Sequence, residues 1–428
     1  MSQAALKIVA LVLFGLMYVG VIGFPKIKTW VALAVAVAFV ALGILPLGQI
    51  GAAINWNALM MIAGTMLIVY YFIESQMPNK IADGLLRKAP NVMWVTILMS
   101  LFSGVVSAFI DNVATVLMVA PVGIAVCKKL KINPVGMILS IAVSSNLQGA
   151  ATLVGDTTSI MLAAYAKMDF MSFFWMEGRP GMFFAVELGA LATVPIMMIL
   201  FRKDKQPVHS DAHTEVKDYI PTVTLVLMVA LLIAASFIPN KPEITNGLIC
   251  LALAVVTMVL ELLREKSGKG IAGAVKSVDY ETLLLLTALF CVIAGITNIG
   301  IIKDFADWIV KIGGNNIFLL YTMIVWGSVL ISAFVDNIPY VATMLPVLTM
   351  VSEGMGSGTP YLLYFGLLCG ATLGGNLTPV GASANITATG MLRKQGYEVR
   401  FRDFARIGLP FTLTAVLAGY LFIWIFWR

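Results

Sequence analysis

Two aspartates stand where an acid is costly. Asp111 lies in SAFIDNVATVLMVAPV, residues 107–122, and Asp336 lies in SAFVDNIPYVATMLPV, residues 332–347. The segments are 225 residues apart in a chain of 428, and eight of their sixteen positions are identical. Each sets an Asp–Asn pair, Asp111-Asn112 or Asp336-Asn337, inside a long apolar stretch. On insertion scales an Asp at the centre of a bilayer helix costs roughly 2.5–3.5 kcal/mol. Two such residues related by an internal repeat point to a transport site between the halves. Neither segment contains a basic residue, and no Lys or Arg is expected near either tip. A proton or a metal cation is then the natural neutraliser. Na+ is the metal candidate, at Asp111, Asn112, Asp336 and Asn337.

Two glycine-rich breaks should meet these tips. The first runs from Ser144 through Asn146 and Gly149 to Gly155-Asp156-Thr157-Thr158-Ser159. The second runs from Gly374 through Asn376 and Thr378 to Gly381-Ala382-Ser383-Ala384-Asn385. They repeat as well: TLVGDTTSI at 152–160 aligns with TPVGASANI at 378–386. Glycine, proline and small hydroxyl residues in mid-span interrupt a helix and free backbone groups that lipid cannot satisfy. Freed carbonyls suit a cation, and helix N-termini suit an anion or a polar solute. The residues expected to bind ion or substrate are therefore Asp111, Asn112, Thr115, Asn146, Gly155, Asp156, Thr157, Asp336, Asn337, Asn376, Thr378, Gly381, Ser383 and Asn385. No GK[ST] follows either break, which argues against nucleotide binding. Asp279 and Glu281 are expected at an interfacial span boundary.

The elements that hold these residues follow from composition. Apolar residues make up 60% of the chain and charged residues only 12%, with a mean hydropathy of +0.95. An all-α integral membrane protein of many spans is expected, in the cell (inner) membrane. Spans fit near 6–23, 29–47, 57–74, 134–165 and 182–201, then near 219–238, 245–263, 282–300, 360–392 and 405–427. The first reads as a retained span, not a signal peptide. The tips sit in split segments at 92–126 and 316–351, read as re-entrant hairpins. The arm 113–127 is short for a span, and a polar tip belongs at membrane depth inside the protein. Each half, 1–201 and 219–428, then holds five spans and one hairpin, joined by a polar cytoplasmic linker at 202–218. Ten spans and two hairpins result. Five crossings invert the second half, giving an inverted repeat with the N-terminus outside. That layout puts 21 of 28 basic residues on the cytoplasmic side; only Lys7, Lys167, Arg179, Lys241, Lys303, Lys311 and Arg428 lie outside. The net charge of +6 needs no nucleic acid to explain it.

Four scattered cysteines form no ligand pattern, and His209 and His213 read as part of a solvated loop. No nucleophile or metal motif suggests an enzyme, and no cofactor is expected. A channel fits repeated, broken helices less well than a carrier.

The tips and the run GGNLTPVGASANITATG resemble the signatures of the ion transporter superfamily over essentially the whole chain. The likeness is above all to its arsenite permease/P-protein, citrate-transporter-like branch. NhaD-type sodium/proton antiporters, which also carry Asp–Asn hairpins, and the divalent anion:sodium symporters are related more distantly. Where the family often has Gly-Asp-Pro-Pro-Asn, this chain has Gly155-Asp156-Thr157-Thr158-Ser159. The resemblance implies a homodimer in which a transport domain, about 91–201 and 316–428, moves as an elevator against a scaffold, about 1–90 and 219–315. The expected function is a secondary transporter for a small ion or polar solute, coupled to H+ or Na+. Sodium-coupled symport of a di- or tricarboxylate or other anion, and Na+/H+ antiport, are the alternatives.

Overall fold

The computed structural model describes residues 3–208, 213–265, 268–314, 316–355 and 360–428. Among them, the first half supplies the helices α1 (Gln3–Gly23), α2 (Lys28–Ala41), α3 (Ile50–Ala53), α4 (Trp56–Glu74), α5 (Met77–Lys88), α6 (Val92–Ser107), α7 (Asn112–Leu130), α8 (Val135–Gly149), α9 (Thr157–Tyr165) and α10 (Met182–Leu200). The second half supplies α11 (Ile220–Ser236), α12 (Thr245–Glu265), α13 (Lys269–Ser277), α14 (Tyr280–Asn298), α15 (Ile301–Gly313), α16 (Ile317–Ser332), α17 (Asn337–Gly354), α18 (Tyr361–Gly374), α19 (Ser383–Lys394) and α20 (Phe401–Trp427). A two-residue β-ladder, Trp175–Met176 against Arg179–Pro180, is the one sheet among the described residues.

The start signals of these helices recur along with the apolar runs. Asn55 caps α4 by accepting from Ala58 N, and Asp279 caps α14 by accepting from Thr282 N. Asn91 and Asn316 cap α6 and α16 in the same way. Such side chains satisfy backbone donors that the first helical turn leaves open. The turn after α4 takes a positive φ at Gln76 (64°), and the turn after α14 takes one at Gly300 (79°).

By length and composition seven described helices can cross a membrane: α1, α4, α7, α10, α12, α14 and α20. The helices α2, α6, α8, α11 and α18 are apolar but shorter. The arm expected at 113–127 in fact runs 112–130, so its length does not by itself mark it as re-entrant. The helices α5, α13 and α15 answer to no expected span. Their charged residues break the apolar runs, and each buries only one side, as α5 does with Ala82, Asp83 and Leu86. The linker is fastened back onto this region: Val92 N donates to Gln206 O (3.1 Å), and Thr214 Oγ1 donates to Asp83 Oδ2 (2.6 Å). His209 lies outside the described residues; His213 stands in irregular chain.

Packing pairs the two halves reciprocally. The helix α2 lies on α14 and α4 lies on α12; α7 meets α19 and α17 meets α9; α10 and α20 pack on each other. The α4–α12 crossing is tight at Gly64, where an added Cβ would fall 2.5 Å from the backbone carbonyl carbon of Cys250. Small residues at a crossing let two backbones approach this closely. Gly64→Val is therefore expected to cost at least the roughly 1–3 kcal/mol of an overpacked core. Thermal unfolding in detergent would read this as a clear fall in Tm; an unchanged Tm would refute the crossing.

Candidate functional site

Both tip aspartates are N-caps. Asp111 precedes α7, and its Oδ2 accepts from Val113 N (3.0 Å) and Ala114 N (3.2 Å). Asp336 precedes α17, and its Oδ1 accepts from Ile338 N (3.2 Å). Each carboxylate thus sits at the positive end of a helix, which offsets part of the cost of keeping an acid there. Both are half-buried.

Behind the tips an amide chain joins the halves. Asn112 Nδ2 donates to Asn146 Oδ1 (3.0 Å). Asn146 Nδ2 donates to Thr372 O (2.7 Å) and to Asn376 Oδ1 (3.1 Å), and Asn376 Nδ2 donates to Val143 O (2.9 Å). Asn112, Asn146 and Asn376 are all buried. Ser145 Oγ adds a bond to the Asn112 carbonyl (3.1 Å). Asp156 is buried between α8 and α9; Thr158 Oγ1 donates to its Oδ2 (2.7 Å) and contacts Thr372 Oγ1 (3.1 Å) in the other half.

The breaks hold the tips in matching ways. Thr152 Oγ1 donates to Ala108 O, and Thr378 Oγ1 donates to Ala333 O. A Cβ on Gly155 would fall 2.5–2.7 Å from the carbonyl oxygens of Gly149, Ser107 and Ala108. A Cβ on Gly381 would fall 2.6–2.9 Å from those of Gly375, Ala333 and Ser332. Three backbone carbonyl oxygens therefore crowd the Cα of each break glycine, so tip and break are in direct backbone contact. Asn385 Nδ2 spans the second break, donating to Gly375 O (3.0 Å) and Thr378 O (3.2 Å), while its Oδ1 stays buried without a partner. Ser159, at the equivalent place in the first half, also keeps a buried, unpartnered oxygen.

A cavity of about 240 Å³ opens against the first tip. Asp111, Asn112, Asp156, Thr157, Asn337 and Ser383 line it, faced by Met66, Val69, Tyr70 and Ile73 of α4 and by Asp279 at its mouth. A second cavity, about 330 Å³, lies along the repeat-equivalent face of α14: Phe290, Ile293, Ala294 and Thr297. Thr115 does not line either cavity; it is fully buried and its hydroxyl lies 3.4 Å from the Ile110 carbonyl.

The expectation that no basic residue stands near a tip fails. A lysine does stand at a tip: Lys28 Nζ lies 2.5 Å from Asp336 Oδ2. The two are 308 residues apart in the chain, and no local pattern signals the pair. Asp279, expected only at an interface, lines the cavity mouth. Thr152 was legible as the repeat partner of Thr378 but carries no charge to draw attention.

Comparisons with known proteins agree with this architecture. The sequence profile of the family described as "Citrate transporter" (CitMHS) matches residues 9–365. An uncharacterized transporter of Mycobacterium tuberculosis is 30% identical over 433 residues, covering 98% of each chain. The human P protein is 26% identical over 445 residues; the match covers 86% of this chain and 53% of the P protein. The YdaH transporter of Alcanivorax borkumensis has a similar fold, with a TM-score of 0.60 at 13% identity over 88% of this chain and 87% of that one.

Proposed function

Because the chain belongs to the citrate transporter family, we propose that this multi-pass membrane protein is a secondary active transporter that carries a small ion or polar solute by an elevator motion coupled to H+ or Na+. Its two halves form an inverted repeat of ten spans, with α6–α7 and α16–α17 as re-entrant hairpins. The scaffold is about 1–90 and 219–315; the moving domain is about 91–201 and 316–428. Two protomers pair through their scaffolds. The reciprocal packing of α2 on α14 and α4 on α12 supports the frame, and that of α7 on α19 and α17 on α9 supports the moving unit.

The observation that carries the reading is the meeting of two Asp-capped tips with two interrupted helices across the midline, joined by the Asn112–Asn146–Asn376 chain. Cation binding at the tip carboxylates, with Asn112 and Asn337 beside them, neutralises the site. The neutralised domain can then slide past the apolar scaffold, whereas an empty, charged site carries the cost of an uncompensated charge. Substrate occupies the cavity beside Asn112, Thr157 and Asn337. The family description names citrate, which supports a carboxylate such as citrate as substrate, and bound cations would supply the positive charge it needs.

Purified protein should gain thermal stability from its own ligands, by about 2.7 kcal/mol at a hundred times Kd. Na+, Li+, citrate, succinate, arsenite and pH are the screen. A cation that stabilises alone, and strengthens binding of one of the solutes, is the expected result. Solute flux in proteoliposomes that ignores both Na+ and proton gradients would overturn the proposal.

A further inference from the structure

The Lys28–Asp336 pair joins the expected scaffold to the expected moving domain, since Lys28 opens α2 and Asp336 caps α17. Both side chains are about one-fifth exposed (21% and 20%), so water and small cations can reach them. The other charges acting on Lys28 are Asp279 and Glu281 of α14. The ammonium thus sits in an acidic setting, in the field of the same Asp279 that lines the cavity of the first tip.

Among the described residues the first tip has no such lysine. Thr29 fastens α2 to α14 by donating to Glu281 O (3.3 Å), and Gly247 N fastens α12 to α4 by donating to Asn57 Oδ1 (2.7 Å). Asn57 and Glu281 are repeat equivalents, so in the packing Gly247 stands where Thr29 does and Asn246 stands where Lys28 does. Asn246 is buried and neutral. The two tips are alike in sequence but not in counter-charge. Asp336 has a tethered cation, and Asp111 has no ion-pair partner among the described residues.

We propose that Lys28 is a built-in counter-ion that takes the place of one coupling cation on Asp336 in this state, and that a mobile cation must displace it before the second tip can leave α2. The inference rests on the transport reading above and deepens it. Asp111 is loaded directly from the cavity. Asp336 is loaded by exchange, so the pair acts as a latch that opens only when cation is present. A charge leaves Asp336 as another arrives, and the tip is never bare at either end of its travel.

The test uses the full-length protein in detergent. Thermal stability is titrated with NaCl against choline chloride at constant ionic strength, and separately with pH. The variants are Lys28→Gln, Lys28→Met, Lys28→Arg, Asp336→Asn and the double variant Lys28→Gln/Asp336→Asn. Removing the competing charge should lower the half-saturating Na+ (or proton) concentration at least tenfold in Lys28→Gln, with Lys28→Arg close to wild type. In the Asp336→Asn background the Lys28→Gln change should have no further effect, so that this single variant and the double variant titrate alike. Lys28→Met reads the same loss of charge with the apolar stem kept, should the Lys28→Gln variant fold poorly. An unchanged midpoint in Lys28→Gln and Lys28→Met, or a shift that persists in the Asp336→Asn background, overturns the latch and leaves the transport site standing. A wild type that responds to neither Na+ nor protons overturns both.

Discussion

Asp111→Asn abolishes cation-coupled flux in proteoliposomes while leaving the fold in place. The two halves of this expectation have separate causes. Asn caps a helix about as well as Asp, so Val113 N and Ala114 N keep an acceptor and α7 keeps its start. What is lost is the negative charge facing the 240 Å³ cavity. A charge-assisted interaction is worth about 1.5–3 kcal/mol, or roughly ten- to hundredfold in cation affinity. Coupled uptake should fall to the level of empty vesicles at physiological cation concentrations, with Tm nearly unchanged. Gradient-dependent flux at the wild-type rate in this variant would remove Asp111 from the mechanism.

The second large effect is steric. Gly381→Ala places a methyl 2.6–2.9 Å from three backbone carbonyl oxygens, and none of these can rotate away as a side chain could. Gly155→Ala does the same in the first half, at 2.5–2.7 Å. Each should lower stability by about 1–3 kcal/mol and abolish transport, because the tip must back away from the break. Gly390→Ala is the matched control: it lies in α19, nothing stands within 4 Å of its added Cβ, and helix propensity alone should make it neutral or stabilising by up to about 1 kcal/mol. Flux and Tm for the three variants decide the matter. If Gly155→Ala and Gly381→Ala behave like the control, the tips and breaks do not touch as described.

Much of this site could be read from the chain because it is written twice. The Asp–Asn pairs, the glycine breaks and the residues after them recur at nearly constant spacing, and the structure brings Asn112, Asn146 and Asn376 into one chain of hydrogen bonds. Apolar runs located the long helices to within a few residues, since bilayer thickness fixes their length. The short amphipathic helices were missed. The charged residues in α5, α13 and α15 break up the apolar runs, so a search for spans passes over them. The Lys28–Asp336 pair is hidden for another reason. Lys28 sits at a helix start like any interfacial lysine, and only the fold brings Asp336 to it. Thr115 drew attention by its place in the motif, yet it is fully buried away from both cavities.

All four cysteines, Cys127, Cys250, Cys291 and Cys369, are buried in the packed interior. Water-borne thiol reagents are therefore expected to react slowly with the native chain. A cysteine installed at Phe334, which is 66% exposed two residues before the second aspartate, should label faster than the four buried thiols wherever that position meets water. The native chain is therefore suited to testing, by chemical footprint, whether the second tip changes its access to water, as the proposed motion requires.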